Sequence, residues 1–386
     1  LHAFTHMFQV ALIPLYLLIQ KDFGLRSEAE ATFLVTALSI AYFLPSYPIG
    51  VLADRMSRKK LLAVGLFTNA LAFVALAFAP NYGAAVACVI LAGLGGSCYH
   101  PAATAMVARL YPTGTGRALG KVGIGAAVGF FLGPIYAGWR GEMAGWRQPV
   151  LEFGIMGLVG AVLFLLLAKE EKSVPIPHDE AHQKIPRRLF ASPLLWIFFI
   201  GASLAFCFRD FAGSGMASLG SLFLQHAHEF NAKQTGLTLS CIYLASVISN
   251  PVFGGLSDRS RFRWTAFVLV CAAAAIFIFP RVPMQWVLPV LAAYGFFFMA
   301  SFPMVEAALM ESVHDSVRGR VFGFFITIGG FIGNLSHWLV GDWVRRLGPA
   351  ADSPASYNPI FTTLAVFVLI SLLGLLALHS LRKRTV

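Results

Sequence analysis

Apolar residues occur along this chain in long runs that polar positions interrupt only at intervals. Residues 150–168 contain one charged residue and residues 360–378 contain none, and neither segment alternates between apolar and polar positions. A membrane-spanning helix needs about 20 mainly apolar residues, whereas a strand of a membrane barrel has about 10 alternating ones. The pattern therefore predicts helices that cross a membrane.

Charge clusters, Pro and Gly residues and capping residues mark where these helices begin and end. They predict twelve spans, at residues 1–20, 30–53, 60–80, 82–110, 116–139, 148–168, 194–226, 234–256, 264–280, 284–311, 318–341 and 357–380. A long polar stretch at 169–193 separates the sixth span from the seventh. We therefore predict a six-helix bundle at 1–168, a linker at 169–193 and a second six-helix bundle at 194–386. Because Leu1 already lies in an apolar run, we expect a short native segment before it.

Composition agrees with an all-α membrane protein and excludes other classes. Of 386 residues, 58% are hydrophobic and 12% are charged, whereas soluble domains have about 25% charged residues. Disordered chains, collagen-like repeats and secreted disulfide scaffolds are excluded by the same composition. The five cysteines lie in apolar segments without CxxC spacing, so we expect buried thiols, no metal site and no cofactor.

The net charge of +11 comes from an uneven distribution of basic residues between the two ends of the spans. The side with both termini and the linker has 19 Lys and Arg residues, and the other side has 8. Cytoplasmic loops carry the excess of basic residues, so this side is predicted to be cytoplasmic. We expect a monomer in a bacterial inner membrane whose partners are lipid, protons and a small-molecule substrate, without nucleic acid.

Three short features recur at nearly constant separation. Residues 50–55 (GVLADR) recur at 254–259 (GGLSDR), 116–117 (GR) at 319–320, and 100–101 (HP) at 302–303 (FP), with offsets of 204, 203 and 202. Such a duplication is typical of transporters with two parallel halves and a substrate site between them. The predicted fold is thus twelve transmembrane helices in two pseudo-symmetric bundles.

The segment from Gly50 to Leu62, G-x-L-A-D-R-x-x-R-K-K-x-L, resembles the signature of the loop between helices two and three in the major facilitator superfamily. The resemblance covers the whole chain and implies alternating access. In that family the motif governs closure of the cytoplasmic gate. Gating roles are therefore implied for Asp54, Arg55, Arg58, Asp258 and Arg259. The alternative is a basic loop that only sets orientation.

The fifth helix carries Gly129, Gly133 and Pro134 in a pattern similar to the antiporter motif of drug-exporting facilitators. Glycines on one stripe let helices pack closely, and the proline bends the helix. The resemblance favours exchange and a gating role for these residues, although close packing alone would also explain it.

Residues 95–102 (GGSCYHPA), together with His2 and His6, resemble the fosmidomycin-resistance-like branch of the superfamily. That branch implies proton-driven export of small polar or drug-like molecules. This sequence departs from the branch at Gln9, where an acidic residue is expected.

Polar side chains at membrane depth mark candidate substrate-binding residues. An ionisable group near the bilayer centre costs about 2.5–3.5 kcal/mol and usually faces a cavity or a partner. The spacing of His2, His6 and Gln9 places them on one helical face. We expect them to line a cavity with His100.

Arg209 lies in the middle of the seventh helix, where its guanidinium would bind a carboxylate, phosphate or phosphonate. The alternative is an ion pair with a carboxylate of a neighbouring helix. Asp210 is not expected to share the direction of Arg209 fully, because adjacent helical residues diverge by about 100°. Asn334 and His337 either complete the binding cavity or, as we favour, form interhelical hydrogen bonds.

Asp210 and Glu306 are the carboxylates that we expect to couple transport to protons. For Glu306 the alternative is a structural partner for Arg209 or a Lys. Glu311, near the cytoplasmic edge, is assigned to the gate.

Together these features predict a secondary active transporter for a small organic compound, with proton-coupled export as the first hypothesis. An uptake or exchange carrier for an organic anion is the alternative. A receptor or a membrane-embedded enzyme is disfavoured, because the gate motif is duplicated and the sequence holds no catalytic constellation.

Overall fold

The computed structural model describes residues 1–111, 115–169, 189–190, 192–313 and 318–385, without the side chains of 54, 108–109, 115–117, 119–120, 318–319 and 385. Most of the predicted linker, 170–188 and 191, therefore lies outside the described residues.

Helices make up almost all of the described chain. The first six spans contain α1 (His2–Val10), α2 (Tyr16–Phe23), α3 (Glu28–Phe43), α4 (Ser46–Arg55), α5 (Arg58–Ala77), α6 (Tyr82–Gly96), α7 (Tyr99–Leu110), α8 (Thr115–Ala144) and α9 (Arg147–Leu167). The last six contain α10 (Pro193–Ala227), α11 (Ala232–Arg259), α12 (Arg261–Ile278), α13 (Met284–Met310), α14 (Arg318–Leu347), α15 (Asn358–Ile370) and α16 (Leu372–Thr385). Short 3₁₀ turns lie at Ile13–Leu15, Phe279–Arg281, Gly348–Asp352 and Pro354–Tyr357.

Twelve segments of the described chain are long and apolar enough to cross a membrane, which confirms the predicted number of spans. Several spans are interrupted, which the sequence patterns did not indicate. The first is broken between α1 and α2, where Pro14 lies in a 3₁₀ turn. The second is broken next to Pro45, the N-cap of α4. Proline lacks a backbone donor and cannot continue the helical hydrogen-bond ladder.

The two six-helix halves contact each other along two helix pairs, α3 with α14 and α8 with α11. Glycines allow the backbones to approach at both contacts. A Cβ atom at Gly341 would overlap Thr32, and one at Gly236 would overlap the carbonyl oxygen of Pro134. A substitution at either glycine must therefore separate the halves.

Hydrogen bonds between the halves are concentrated on the side of the turns at residues 24–27 and 228–231, which we call the closed side. The hydroxyl groups of Tyr16 and Ser218 lie 2.7 Å apart, and Ser221 donates to the carbonyl oxygen of Ile13 at 2.7 Å. The backbone N–H of Trp338 donates to Thr36 Oγ1 at 2.9 Å. These contacts form a seam that joins the halves.

The opposite side, which carries the turns at residues 56–57 and 260, is called the open side. Here a Cβ atom added at Gly123, Gly254, Gly255 or Gly323 would meet no atom within 4 Å. Between described residues, the hydrogen bonds that join the halves at Tyr16, Ser221, Ala232 and Trp338 lie towards the closed side. The halves therefore meet at one end and diverge at the other.

Candidate functional site

Three histidines from two distant helices meet in the N-terminal half. Their ligand atoms all lie within 4.8 Å of one another. Helix α1 supplies His2 and His6, whose Nε2 atoms are 3.0 Å apart. Helix α7 supplies His100, whose ring lies edge-on to His2 at 5.4 Å between centroids and tilted to His6 at 5.6 Å. We call this group the histidine cluster.

The outer nitrogens of the α1 histidines have their own partners. His2 Nδ1 lies 2.9 Å from the carbonyl oxygen of Val122 in α8. His6 Nδ1 lies 2.7 Å from Gln9 Oε1. The predicted common face of His2, His6 and Gln9 is thus present. His100 is exposed although it is in mid-span, so the cluster borders the space between the halves.

Aromatic rings connect the histidine cluster to the C-terminal half. His6 stacks on Phe130 of α8 at 4.1 Å between centroids, and Phe130 stacks on Tyr243 of α11 at 4.8 Å. His2 stacks on Tyr99 at 4.7 Å. The result is a row of flat rings that crosses from one half to the other.

In the C-terminal half, Arg209 and Asp210 of α10 are bound to each other. Asp210 Oδ1 accepts from Arg209 Nη2 at 2.6 Å and from Nε at 2.9 Å. The expectation that the two side chains diverge was wrong, because a long arginine side chain can fold back along the helix to the next residue. The predicted ion pair exists, but its carboxylate is on the same helix.

Arg209 has little capacity left for a ligand. Its side chain is 3% exposed, and its guanidinium lies 4.3 Å from the ring centroid of Phe302 in α13. Nη1 also donates to the carbonyl oxygen of Ser301 at 3.5 Å. The structure thus does not support Arg209 as a free anion-binding group.

Asp210 and Glu306 share one electrostatic environment. Asp210 occupies a gap against α14, where a Cβ atom at Gly329 would lie 2.6 Å from Asp210 Oδ2. Glu306 of α13 is half-buried, and the charges of both Arg209 and Asp210 act on it. Of the ion pairs between described residues, none includes Glu306, whereas Asp210 is paired with Arg209. We call Arg209, Asp210 and Glu306 the charge cluster.

His337 lies elsewhere, at the seam, and Asn334 lies one turn away from it on α14. His337 Nδ1 is 2.6 Å from Ser218 Oγ, which contacts Tyr16. Asn334 accepts from Ser214 at 3.4 Å and donates to the carbonyl oxygen of Gly330 at 2.7 Å. The sequence left open whether these two residues complete the binding cavity or form interhelical hydrogen bonds. The structure shows interhelical and local hydrogen bonds, and neither residue joins the histidine cluster.

The glycines of α8 are contact points with α1. A Cβ atom at Gly129 would overlap the carbonyl oxygen of Ala3, and one at Gly133 would lie 2.9 Å from Val10 Cγ2. Pro134 lies inside α8 and meets Gly236 of α11 through its carbonyl oxygen. The fifth span is therefore packed between α1 and α11.

At the open side, the second copy of the loop motif belongs to a charge network. Arg261 Nη2 donates to Asp258 Oδ1 at 2.9 Å and to Glu311 Oε1 at 2.7 Å. Arg382 Nη1 reaches Glu311 Oε2 at 3.3 Å. In the first copy Arg55 is exposed, as is Arg259 in the second. Arg58 is half-buried and has contacts of its own, and the side chain of Asp54 lies outside the described residues.

The family follows from comparison with known proteins. The family model described as Major Facilitator Superfamily matches residues 1–337. The chain belongs to the major facilitator superfamily. It is accordingly a multi-pass membrane transporter of small molecules, as the loop motif and the duplication predicted.

Curated relatives of this facilitator are bacterial proteins. The chain is 25% identical to the multi-drug resistance efflux pump PmrA of Streptococcus pneumoniae, over 96% of this chain and 92% of PmrA. It is 27% identical to the multidrug resistance protein MdtG of Serratia proteamaculans, over 88% of this chain and 79% of MdtG. It is 21% identical to the quinolone resistance protein NorA of Staphylococcus aureus, over 84% of this chain and 83% of NorA.

Solved structures share the facilitator fold. The crystal structure of a bacterial homologue of the human lysosomal transporter Spinster, in an inward-facing and unoccupied conformation, matches with a TM-score of 0.77. It covers 99% of this chain and 95% of that one at 16% identity. The crystal structure of such a Spinster homologue in an inward-facing and occupied conformation matches with a TM-score of 0.76 and 17% identity. It covers 99% of this chain and 94% of that one. The predicted twelve-helix fold in two bundles is confirmed.

Sequence reasoning missed several residues of this facilitator's site. Tyr16 and Ser218 were not recognised, because single hydroxyl groups in apolar helices carry no periodic signal. Phe130 and Tyr243 are two of many aromatic residues, and only tertiary packing stacks them. The i, i+3 spacing of Asp258 and Arg261 is the signal that would have revealed their ion pair.

Proposed function

We propose that this facilitator exports small organic compounds in exchange for protons, with Asp210 and Glu306 as proton-coupling groups. Glu306 binds the proton, and Asp210 neutralises Arg209 beside it. The observation that carries the proposal is the charge cluster, in which the bound Arg209–Asp210 pair lies within electrostatic range of the half-buried Glu306. The Arg209–Asp210 pair is already neutral, so Glu306 is the group whose charge changes when a proton binds. A carboxyl group without an ion-pair partner at this depth is suited to alternate between its two protonation states.

The charge cluster argues against the organic-anion alternative. An anion would need a guanidinium with unused donors, and those of Arg209 are directed to Asp210 and Ser301. With Glu306 ionised, the cluster attracts a cation or a proton. Substrate and proton would then compete for the same carboxylate.

We propose that the rest of the binding surface is aromatic. His6 and Tyr243 cover the two faces of Phe130, so a planar compound would stack at the Tyr243 end of this ring row or against its edges. The relatives named as multidrug and quinolone resistance proteins support an exporter of such drug-like compounds. His2, Gln9 and His100 border the same space and belong to the proposed substrate site.

Orientation is proposed from charge. The excess of Lys and Arg on the open side supports placing both termini and the segment between the bundles in the cytoplasm of a bacterial inner membrane. The open side then faces inwards, the direction from which an exporter takes its substrate. We propose division into bundles at 1–168 and 194–386, and function as a monomer.

Gating is proposed at both ends. Breaking the seam would open the closed side. The open side would be closed by the Asp258–Arg261–Glu311 network. The first copy of the loop motif, at Asp54, Arg55 and Arg58, would act with it. Gly129, Gly133 and Pro134 would let α8 move against α1 and α11 as the halves rock.

The test uses proteoliposomes with a pH-sensitive dye trapped inside and a panel of planar aromatic cations, neutral aromatics and small organic anions. Wild-type protein is expected to change the internal pH when an aromatic cation is added. Glu306→Gln should lose this response, bind the aromatic cation more weakly, and still bind a neutral aromatic compound like wild type. Asp352→Asn, which removes an exposed carboxylate at a distant turn, is the matched control and should respond like wild type. Labelled substrate entering without any pH change, or intact coupling in Glu306→Gln, contradicts the proposal.

A further inference from the structure

The described residues contain one group of three side chains whose ligand atoms are close enough together to hold a metal ion, and it is the histidine cluster. Its members come from α1 and α7, and α8 supports them through Val122. No metal site was expected from the sequence, because the five cysteines lie in apolar segments without CxxC spacing. Folding adds His100 as the third.

The hydrogen bonds of the cluster define which nitrogens carry protons. The carbonyl oxygen of Val122 can only accept, so His2 Nδ1 must donate to it. Gln9 Oε1 likewise accepts from His6 Nδ1. In the neutral rings, both Nε2 atoms then carry lone pairs, and these face each other at 3.0 Å.

Two lone pairs at this distance repel each other unless a cation lies between or beside them. Histidines that bind zinc show this same arrangement, with one ring nitrogen donating to an oxygen and the other free for the metal. Nitrogens bound to one tetrahedral ion at about 2.0–2.1 Å are separated by roughly 3.4 Å. The present 3.0 Å separation is close to that value.

We propose that His2, His6 and His100 bind a divalent transition-metal ion of the zinc class. Imidazole ligands suit Zn²⁺, Co²⁺, Ni²⁺ and Cu²⁺. The ring of His100 is exposed, so it can turn to complete the third bond. Three protein ligands leave the fourth position of a tetrahedral ion open to the space between the halves, where water or a donor atom of a transported compound binds.

A proton shared between His2 and His6 would relieve the same repulsion, and the experiment separates the two. Purified full-length protein in detergent is titrated with Co²⁺ alone, whose visible absorption bands report four-coordinate binding, and then with Zn²⁺ as competitor. Wild type is expected to bind one Co²⁺ per chain and release it to Zn²⁺. His100→Ala should lose the bands, and because this ring is exposed the variant should keep its fold.

Two further variants sharpen the result. Gln9→Leu removes only the acceptor that orients His6 and should weaken metal affinity by about 10- to 100-fold. His379→Ala removes an exposed histidine of α16 and should bind like wild type. Folded wild-type protein that binds no Co²⁺, or unchanged bands in His100→Ala, overturns the proposal. Since no transport substrate is present, the result is independent of the proposed export function.

Discussion

Arg209 illustrates how a single charged residue is accommodated inside a membrane protein. Its side chain is 3% exposed, and Asp210, an aromatic ring and a backbone carbonyl surround it. Removing one member of a buried ion pair leaves an uncompensated charge, which is strongly destabilising. The pair is therefore as much a structural unit as a functional one.

Asp210→Asn is expected to lower the free energy of unfolding by about 3–5 kcal/mol, because it leaves the guanidinium without its counter-charge. The double variant Arg209→Met/Asp210→Leu should recover most of that loss. Thermal unfolding in detergent measures both. If the single variant melts like wild type, water reaches Arg209 and the buried pair is not the stabilising feature described above.

Single hydroxyl groups at the seam also help to hold the two halves together. Tyr16 and Ser218 connect the halves through a 2.7 Å contact, and His337 continues the chain from Ser218. Buried donors and acceptors are costly to leave unpaired, so all three benefit from the closed arrangement. Opening of this side must replace these bonds with water.

At the scale of helices, glycine determines which faces can touch. In α8, Gly129 meets the backbone of Ala3, whereas Gly123 of the same helix borders open space. This difference gives a matched pair of substitutions within one element.

Gly129→Ala should destabilise the protein by about 1–3 kcal/mol, because the added methyl group must push α1 away. Gly123→Ala should leave stability unchanged or slightly raise it, since alanine favours a helix over glycine by about 1 kcal/mol. Melting temperature and transport rate are the measurements. Equal effects of the two substitutions would show that α1 does not pack closely on α8.

For the whole molecule, the closed seam and the diverging open side describe one of the two states that alternating access requires. The helix pairs α3–α14 and α8–α11 carry this contact, and both join one half to the other. Transport must separate at least one pair at the closed side. A covalent link across the seam should therefore stop the cycle.

With the native cysteines replaced, Thr32→Cys/Gly341→Cys should form a disulfide under oxidation, because the two positions are in contact. Transport should fall to background and return when a reductant is added. Thr32→Cys alone is the control and should transport under oxidising conditions, and the reduced double variant gives the baseline rate, because Gly341→Cys by itself already displaces its neighbours. Full transport by the cross-linked protein would show that the closed side need not open.

The sequence was sufficient to predict the twelve spans, the duplication and the family. Each membrane helix is marked by its own continuous run of apolar residues. A run of about 20 apolar residues is sufficient evidence for a span, and a repeated motif is visible without a fold. The common face of His2, His6 and Gln9 followed from helical spacing alone. These features depend on residues that are close in sequence or repeated in it.

Tertiary structure alone decided which distant residues meet. It added His100 to the α1 histidines, stacked Phe130 on Tyr243, and placed His337 in the seam away from the histidine cluster. It also turned Arg209 towards Asp210, against the divergence that helical geometry suggested. Packing between helices sets these contacts through three-dimensional distances and side-chain rotamers, and neither periodicity nor composition encodes them.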